Sequence, residues 1–248
     1  MKCILVTGAS RGLGLQITLQ LLSAGCRVFA TSSTAPPALL ALLARHHGSL
    51  AHLEADLADP ETPTLIYQKC MRDFGSIHGI VHCAGTIPLA IITASEHSLQ
   101  RAFTINLLAF TKLVALALPE LRKQAAVVIA VSSGASTTPY KGWSSYCMSK
   151  AALNMFCACL SIEEPLLRVA AIRPGVIDTA MQKLIREQGA ACMDPQMHVR
   201  LVEMEKTGLL LDAALPASRI AYAVLHGDSF VNGAFVDWNS INVANEPL

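Results

Sequence analysis

Charge is scarce in this chain. Charged residues fill 15% of its 248 positions and the net charge is +1. It therefore has neither the basic face that binds nucleic acid or an anionic membrane nor the like-charged blocks of a disordered tail. Long hydrophobic runs are also missing. The most apolar stretch, 107–121, is broken by Lys112 and Pro119 and reads as too short and too polar to cross a bilayer. The opening apolar run, 3–6, is one strand long before glycines begin, shorter than the apolar core of a signal peptide. No two cysteines stand in a CxxC spacing, although there are eight. They are scattered, and Cys157 and Cys159 point in different directions on an expected helix, so reduced thiols of a cytoplasmic protein are expected, not a disulfide scaffold. His46, His47 and His52 lack metal-ligand spacing, so no metal is expected. Glu203, Glu205 and Lys206 read as a solvated helical face.

What is abundant is core material, with 52% hydrophobic residues. Short runs rich in Val, Ile and Ala fall at 3–6, 27–31, 50–54, 79–82, 127–132, 169–172 and 234–237. Most lack strict alternation, as expected of strands covered on both faces. Amphipathic helical segments separate them at 12–24, 37–46, 60–74, 96–122, 144–165 and 216–226. This rhythm predicts one α/β domain: a Rossmann-like, doubly wound, seven-stranded parallel sheet flanked by helices. The polar, Met-containing stretch 178–212 breaks the rhythm. It is expected to be an irregular insertion at the carboxyl end of the sheet, where a substrate lid would sit.

Thr7-Gly8-Ala9-Ser10-Arg11-Gly12-Leu13-Gly14 follows the first strand and opens the first helix. Glycines there permit a tight turn and let a pyrophosphate approach the backbone and the helix N-terminus. After the second strand the chain reads Ser32-Ser33-Thr34, with no carboxylate. A carboxylate at that place would bind a ribose 2′-hydroxyl and repel a 2′-phosphate. Its absence, with Arg11 in the loop, points to NADP(H), and hydroxyls at Ser32, Ser33 or Thr34 can add hydrogen bonds.

Tyr146 and Lys150 stand at i and i+4 on the helix after the fifth strand, on one face. A nearby ammonium favours the anion of a phenol and is expected to lower its pKa. Ser133, at the end of the preceding strand, can polarise a substrate carbonyl.

With these motifs in order, the chain resembles the short-chain dehydrogenase/reductase family over essentially its full length. The family pattern falls on Gly8, Gly12 and Gly14; on Asp56, with Leu57, beside the adenine; and on Cys83-Ala84-Gly85, where the family has Asn-Ala-Gly. It continues through Asn106, Ser133, Tyr146 and Lys150 to Pro174-Gly175, Ile177 and Thr179. The resemblance implies that Tyr146 gives a proton to a carbonyl oxygen while the cofactor gives hydride. It further implies that Lys150 holds the nicotinamide ribose, that Asn106 helps seat a relay water and that Thr179 bonds the nicotinamide amide. Ser10, Arg11, Leu13, Ala84 and Gly85 complete the expected cofactor set. Cys83 departs from the pattern, so altered local bonding is expected there.

Within the family, 139–143, 163–165 and 174–182 are similar to sepiapterin reductases and benzil reductases. This implies reduction of a small ketone or vicinal dicarbonyl with NADPH. Trp143 and Met181 are pocket candidates, and Asp237 lies where sepiapterin reductases carry a pterin-anchoring carboxylate able to accept paired N–H bonds. The resemblance also implies a homodimer through helices 96–122 and 144–165, with a tetramer as the alternative. Two rival functions are a non-catalytic NADP-binding regulatory module and an NAD(P)-dependent secondary-alcohol or steroid dehydrogenase. The complete proton-transfer set argues against the first, and the missing carboxylate after the second strand against the second.

Overall fold

The computed structural model describes residues 1–91 and 96–243. Seven parallel strands form one sheet: β1 (Cys3–Thr7), β2 (Arg27–Ser32), β3 (Leu50–Glu54), β4 (Gly79–His82), β5 (Val127–Val131), β6 (Arg168–Arg173) and β7 (Phe235–Asp237). Their spatial order is β3-β2-β1-β4-β5-β6-β7. Crossover helices are α1 (Gly12–Ser23), α2 (Pro37–Arg45), α3 (Thr62–Phe74), α4 (Glu96–Phe103), α5 (Ala109–Lys123) and α6 (Ser144–Glu163). Beyond β6 come α7 (Ala180–Gln188), α8 (Pro195–Lys206) and α9 (Ala214–Leu225).

β1, β4 and β5 are buried at every position, which explains sequences without alternation. The alternation lies instead between two cores. Ile4 and Val6 of β1 join Ile17 and Leu21 of α1 and Ile220 and Val224 of α9 on one face. Cys3 and Leu5 join Ile66 of α3, Phe110 and Leu113 of α5 and Leu153 of α6 on the other. Each such Val, Leu or Ile contributes about 1.5–3 kcal/mol on burial.

Chain order reverses between β1 and β4, so their carboxyl ends diverge and leave a crevice there. Both strands end on residues that shape it: Thr7-Gly8 after β1 and Cys83-Ala84-Gly85 after β4.

Three expectations are corrected. The helix expected over 96–122 is not a uniform α-helix; α4 passes through a π turn, Thr104–Leu108, into α5. Joined this way, Glu96–Lys123 is 28 residues with a mean hydropathy of 1.7 in its most apolar window, enough in length and composition for a bilayer span. Its buried face, with Phe110, Leu113, Ala117 and Leu121 in the core, accounts for that hydropathy.

The stretch 178–212 is not irregular either. It holds α7 and α8, each with a legible start. Thr179 caps α7 by accepting the Gln182 amide, and Asp194 caps α8 by accepting the amides of Gln196 and Met197, with Pro195 in the first turn. Arg186 of α7 donates to Glu205 of α8 at 2.6 Å, so Glu205 joins the two helices and is more than a solvated charge. Beneath them Ile185, Met193 and Leu201 pack with Ile87, Trp143 and Tyr146 in a third apolar cluster.

Candidate active site

A cleft of about 560 Å³ runs across the carboxyl ends of the strands. At its floor Gly8 has φ +71°, and a Cβ there would stand 2.6 Å from the Ala84 nitrogen. Only glycine lets the loop lie against the turn after β4. A Cβ on Gly14 would meet the Gly8 carbonyl oxygen at 2.2 Å, so loop and helix are packed backbone to backbone. α1 starts with no side-chain cap and no acidic residue in its first turn. Its N–H groups therefore remain free for an anion, which suits the pyrophosphate of a dinucleotide.

Nearly all the predicted site residues meet in this cleft. Gly8, Ser10, Arg11, Gly12, Leu13, Gly14, Ser32, Ser33, Asp56, Leu57, Ala84 and Gly85 line it from the β1–β3 side. Ser133, Trp143, Tyr146, Lys150, Pro174, Gly175, Ile177, Thr179 and Met181 line it from the β5–β6 side. Asn106 lies just behind the wall: a Cβ on Gly85 would stand 3.5 Å from Asn106 Oδ1 and 3.7 Å from Lys150 Nζ.

Asp237 is not a lining residue. Its carboxylate is taken by the Arg173 guanidinium, Nε donating to Oδ1 and Nη2 to Oδ2. Ser32 also differs from expectation. Its hydroxyl donates to the Thr34 carbonyl at 2.8 Å and pairs with His52 Nε2 at 2.9 Å. Ser33 and Arg11 are exposed at the cleft edge.

Helix α6 organises the reacting end. Tyr146 and Lys150 sit one turn apart, with Nζ 5.8 Å from the phenol ring centre. Lys150 is buried and donates to the Val131 carbonyl at 2.7 Å. Asn106 Nδ2 donates to Ser149 Oγ at 2.9 Å and to the Thr86 carbonyl at 3.0 Å, while its Oδ1 accepts the Thr86 amide at 2.8 Å. Ser149 in turn donates to the Tyr146 carbonyl.

The turn bearing Ser133 is gripped by the same helix. Ser132 donates to Asn154 Oδ1 at 2.5 Å, Asn154 Nδ2 donates to Ser136 Oγ at 2.8 Å, and Ser136 donates to the Ser133 carbonyl at 2.6 Å. Ser133 Oγ accepts the Ala135 amide at 3.1 Å, which leaves its own hydrogen to give. Thr86, Ser149 and Asn154 were not expected from the sequence. Ser149 and Asn154 fall on the Tyr146 face by helical spacing, and that spacing was the signal available.

The electrostatics correct one further expectation. Burial raises Tyr146 to about 12, a shift that the Ser133 hydroxyl opposes. The Lys150 charge does not hold the phenol below its ordinary value. Burial instead lowers Lys150 itself, to about 8. At neutral pH the pair is therefore a phenol beside an ammonium, and the cleft holds a proton to give. Among the described residues no cluster of three His, Cys, Asp or Glu side chains could hold a metal ion.

The chain is similar to known proteins. The profile of the family described as short chain dehydrogenase matches residues 2–190. A benzil reductase ((S)-benzoin forming) of Saccharomyces cerevisiae is 39% identical, covering 96% of both chains. A sepiapterin reductase of Meriones unguiculatus is 30% identical, covering 95% of both. The crystal structure of a short-chain dehydrogenase/reductase of Saccharomyces cerevisiae superimposes with a TM-score of 0.91 at 31% identity, covering 96% of both.

Proposed function

The chain belongs to the short-chain dehydrogenase family and is an oxidoreductase that uses a nicotinamide cofactor; on that footing we propose that it reduces an apolar, aryl-bearing vicinal diketone to a hydroxyketone with NADPH. One observation carries the choice of substrate. The wall around Tyr146 is apolar, with Ile87, Trp143, Met181, Leu184 and Ile185, while the carboxylate of Asp237 is held by Arg173 outside the lining. The cleft-lining carboxylate among the described residues is Asp56, which follows β3 on the opposite side. An aminopyrimidine ring would find no acidic partner beside Tyr146, whereas two aryl groups would find hydrocarbon.

The preference for NADPH is supported by Arg11 and Ser33 at the cleft edge and by the lack of a carboxylate after β2. When bound, the nicotinamide supplies the hydride. Tyr146 gives its phenolic proton to the carbonyl oxygen, so that C=O becomes CH–OH. Ser133 donates its hydroxyl hydrogen to the same oxygen and stabilises the charge that develops there. Lys150 would hold the nicotinamide ribose. Asn106 seats the relay water that returns a proton. Thr179 would bond the nicotinamide amide, and Asp56 and Leu57 would flank the adenine.

Helices α7 and α8 act as the lid, on one domain. The protein works as a homodimer through the helical segments 96–122 and 144–165, on whose surface Leu108, Met148, Met155 and Ile162 stand exposed. Eight free thiols suit a reducing cytoplasm. The test is NADPH oxidation with benzil and sepiapterin side by side. Turnover of benzil at least about tenfold above that of sepiapterin supports the reading, and the reverse order contradicts it.

A further inference from the structure

One cation of the cleft has no part in the reaction described so far. Among the described residues, four charged side chains line the cleft: Arg11, Asp56, Arg101 and Lys150. In the proposed reading Arg11 serves the 2′-phosphate, Asp56 the adenine and Lys150 the nicotinamide ribose. Arg101, on α4, is left without a role. It is exposed, and among the described residues it makes no ion pair. Arg122, Arg173 and Arg186 differ in this, since each closes on a carboxylate, of Glu164, Asp237 and Glu205 in turn.

Two neighbours show which end of the cleft Arg101 borders. Next to the cleft lies a hollow of about 200 Å³ that Arg101 shares with Ala58, the residue after Asp56-Leu57. One helical turn on from Arg101, Ile105 lines the cleft and joins Leu57 in one apolar core cluster. Arg101 therefore stands against the stretch that follows β3. Asp56 is on the same border, and its Oδ1 accepts the Ala58 amide at 2.9 Å, which leaves Oδ2 to accept from a ligand. Although opposite in charge, Asp56 and Arg101 do not come within ion-pair distance of each other. A carboxylate and a guanidinium held apart suit a ring with N–H groups at its edge and π electrons on its face. Adenine has both, and a guanidinium is planar, weakly hydrated and stacks well on such a face.

We propose that Arg101 is a further cofactor-binding residue, which lays its guanidinium on the face of the adenine while Asp56 takes the amino edge. This rests on the reading that the adenine lies beside Asp56 and Leu57. The contact is separate in kind from that of Arg11. Arg101 serves any nicotinamide dinucleotide with an adenine, whereas Arg11 serves the one with a 2′-phosphate.

The test is the Kd, from nicotinamide fluorescence, of NADPH, of NADH and of reduced nicotinamide mononucleotide, which has no adenine. Wild type is compared with Arg101→Leu, which loses charge and plane, and with Arg101→Lys, which keeps the charge alone. The position is exposed, so both variants are expected to fold. Arg101→Leu is expected to weaken NADPH and NADH alike, by about 5-fold, and to leave the mononucleotide within about 1.5-fold of wild type. Arg101→Lys is expected to remain at least about 2-fold weaker than wild type for both dinucleotides. A leucine variant that binds both dinucleotides within about 1.5-fold of wild type would overturn the proposal. So would a loss confined to NADPH, which would make Arg101 a 2′-phosphate ligand. An equal loss for the mononucleotide would overturn it by showing a disturbance of the whole cleft, and a lysine variant as tight as wild type would reduce the effect to charge. Failure of the underlying reading looks different: wild type itself would then bind the dinucleotides no more tightly than the mononucleotide.

Discussion

Arg173 closes on Asp237 with both arms of its guanidinium, Nε on Oδ1 and Nη2 on Oδ2, across the register pair that joins β6 to β7. A carboxylate engaged in this way cannot also receive paired N–H bonds from a substrate ring. Both partners are about two-fifths exposed, at 43% and 39%, so solvent screens the pair and its net worth is about 1 kcal/mol or less. Asp237→Asn is therefore expected to leave benzil turnover within about 3-fold of wild type and to cost little stability. A collapse of turnover would mean that Asp237 leaves Arg173 to bind substrate.

The cofactor preference rests on few groups. Ser32 has its hydroxyl engaged with Thr34 and His52, and Arg11 and Arg101 are exposed cations that line the cleft. Arg11→Ala is expected to raise the KM for NADPH about 10-fold and to leave that for NADH nearly unchanged. Equal effects on the two cofactors would remove Arg11 from 2′-phosphate recognition.

The pH dependence follows from Lys150. Burial lowers it to about 8 and raises Tyr146 to about 12. Below pH 8 the ammonium is present, and it is lost as pH rises past that value; the phenol keeps its proton throughout that range. Since kcat/KM reports the free enzyme, it is expected to hold level up to about pH 8 and then to fall roughly tenfold per unit. A profile that stays level to pH 10 would show that the Lys150 charge does not serve the reaction.

Asn154 reaches the reaction only through Ser133. It accepts from Ser132 and donates to Ser136, which holds the Ser133 carbonyl. Asn154→Leu is expected to lower kcat about 10-fold with NADPH affinity retained, because the misplaced hydroxyl acts after the cofactor binds. Loss of NADPH affinity in place of turnover would contradict that assignment.

Much of this was legible in the residues. β3 and β4 occupy the expected 50–54 and 79–82, because runs bounded by glycine or loop residues announce their own ends. The reacting side chains were found because Tyr146 and Lys150 obey helical spacing and the glycine loop follows its strand. What escaped has no local signal. The π turn at Thr104–Leu108 contains no Gly or Pro to announce it. The grip of Arg173 on Asp237 depends on β6–β7 register between positions far apart in sequence. The helices in 178–212 are a different case. Thr179 and Asp194-Pro195 are ordinary helix starts, obscured by the polarity of the stretch around them.

The account turns on the phenol, which stands beside Ser133 in an apolar wall with a proton it keeps at neutral pH. The most direct test is NADPH oxidation with benzil in wild type and Tyr146→Phe, with NADPH affinity measured alongside. The account predicts that the variant loses turnover by about 10³-fold or more while binding NADPH within about 3-fold of wild type. A variant that still turned over at the wild-type rate would contradict the assignment of Tyr146 as the acid, and with it the proposed mechanism.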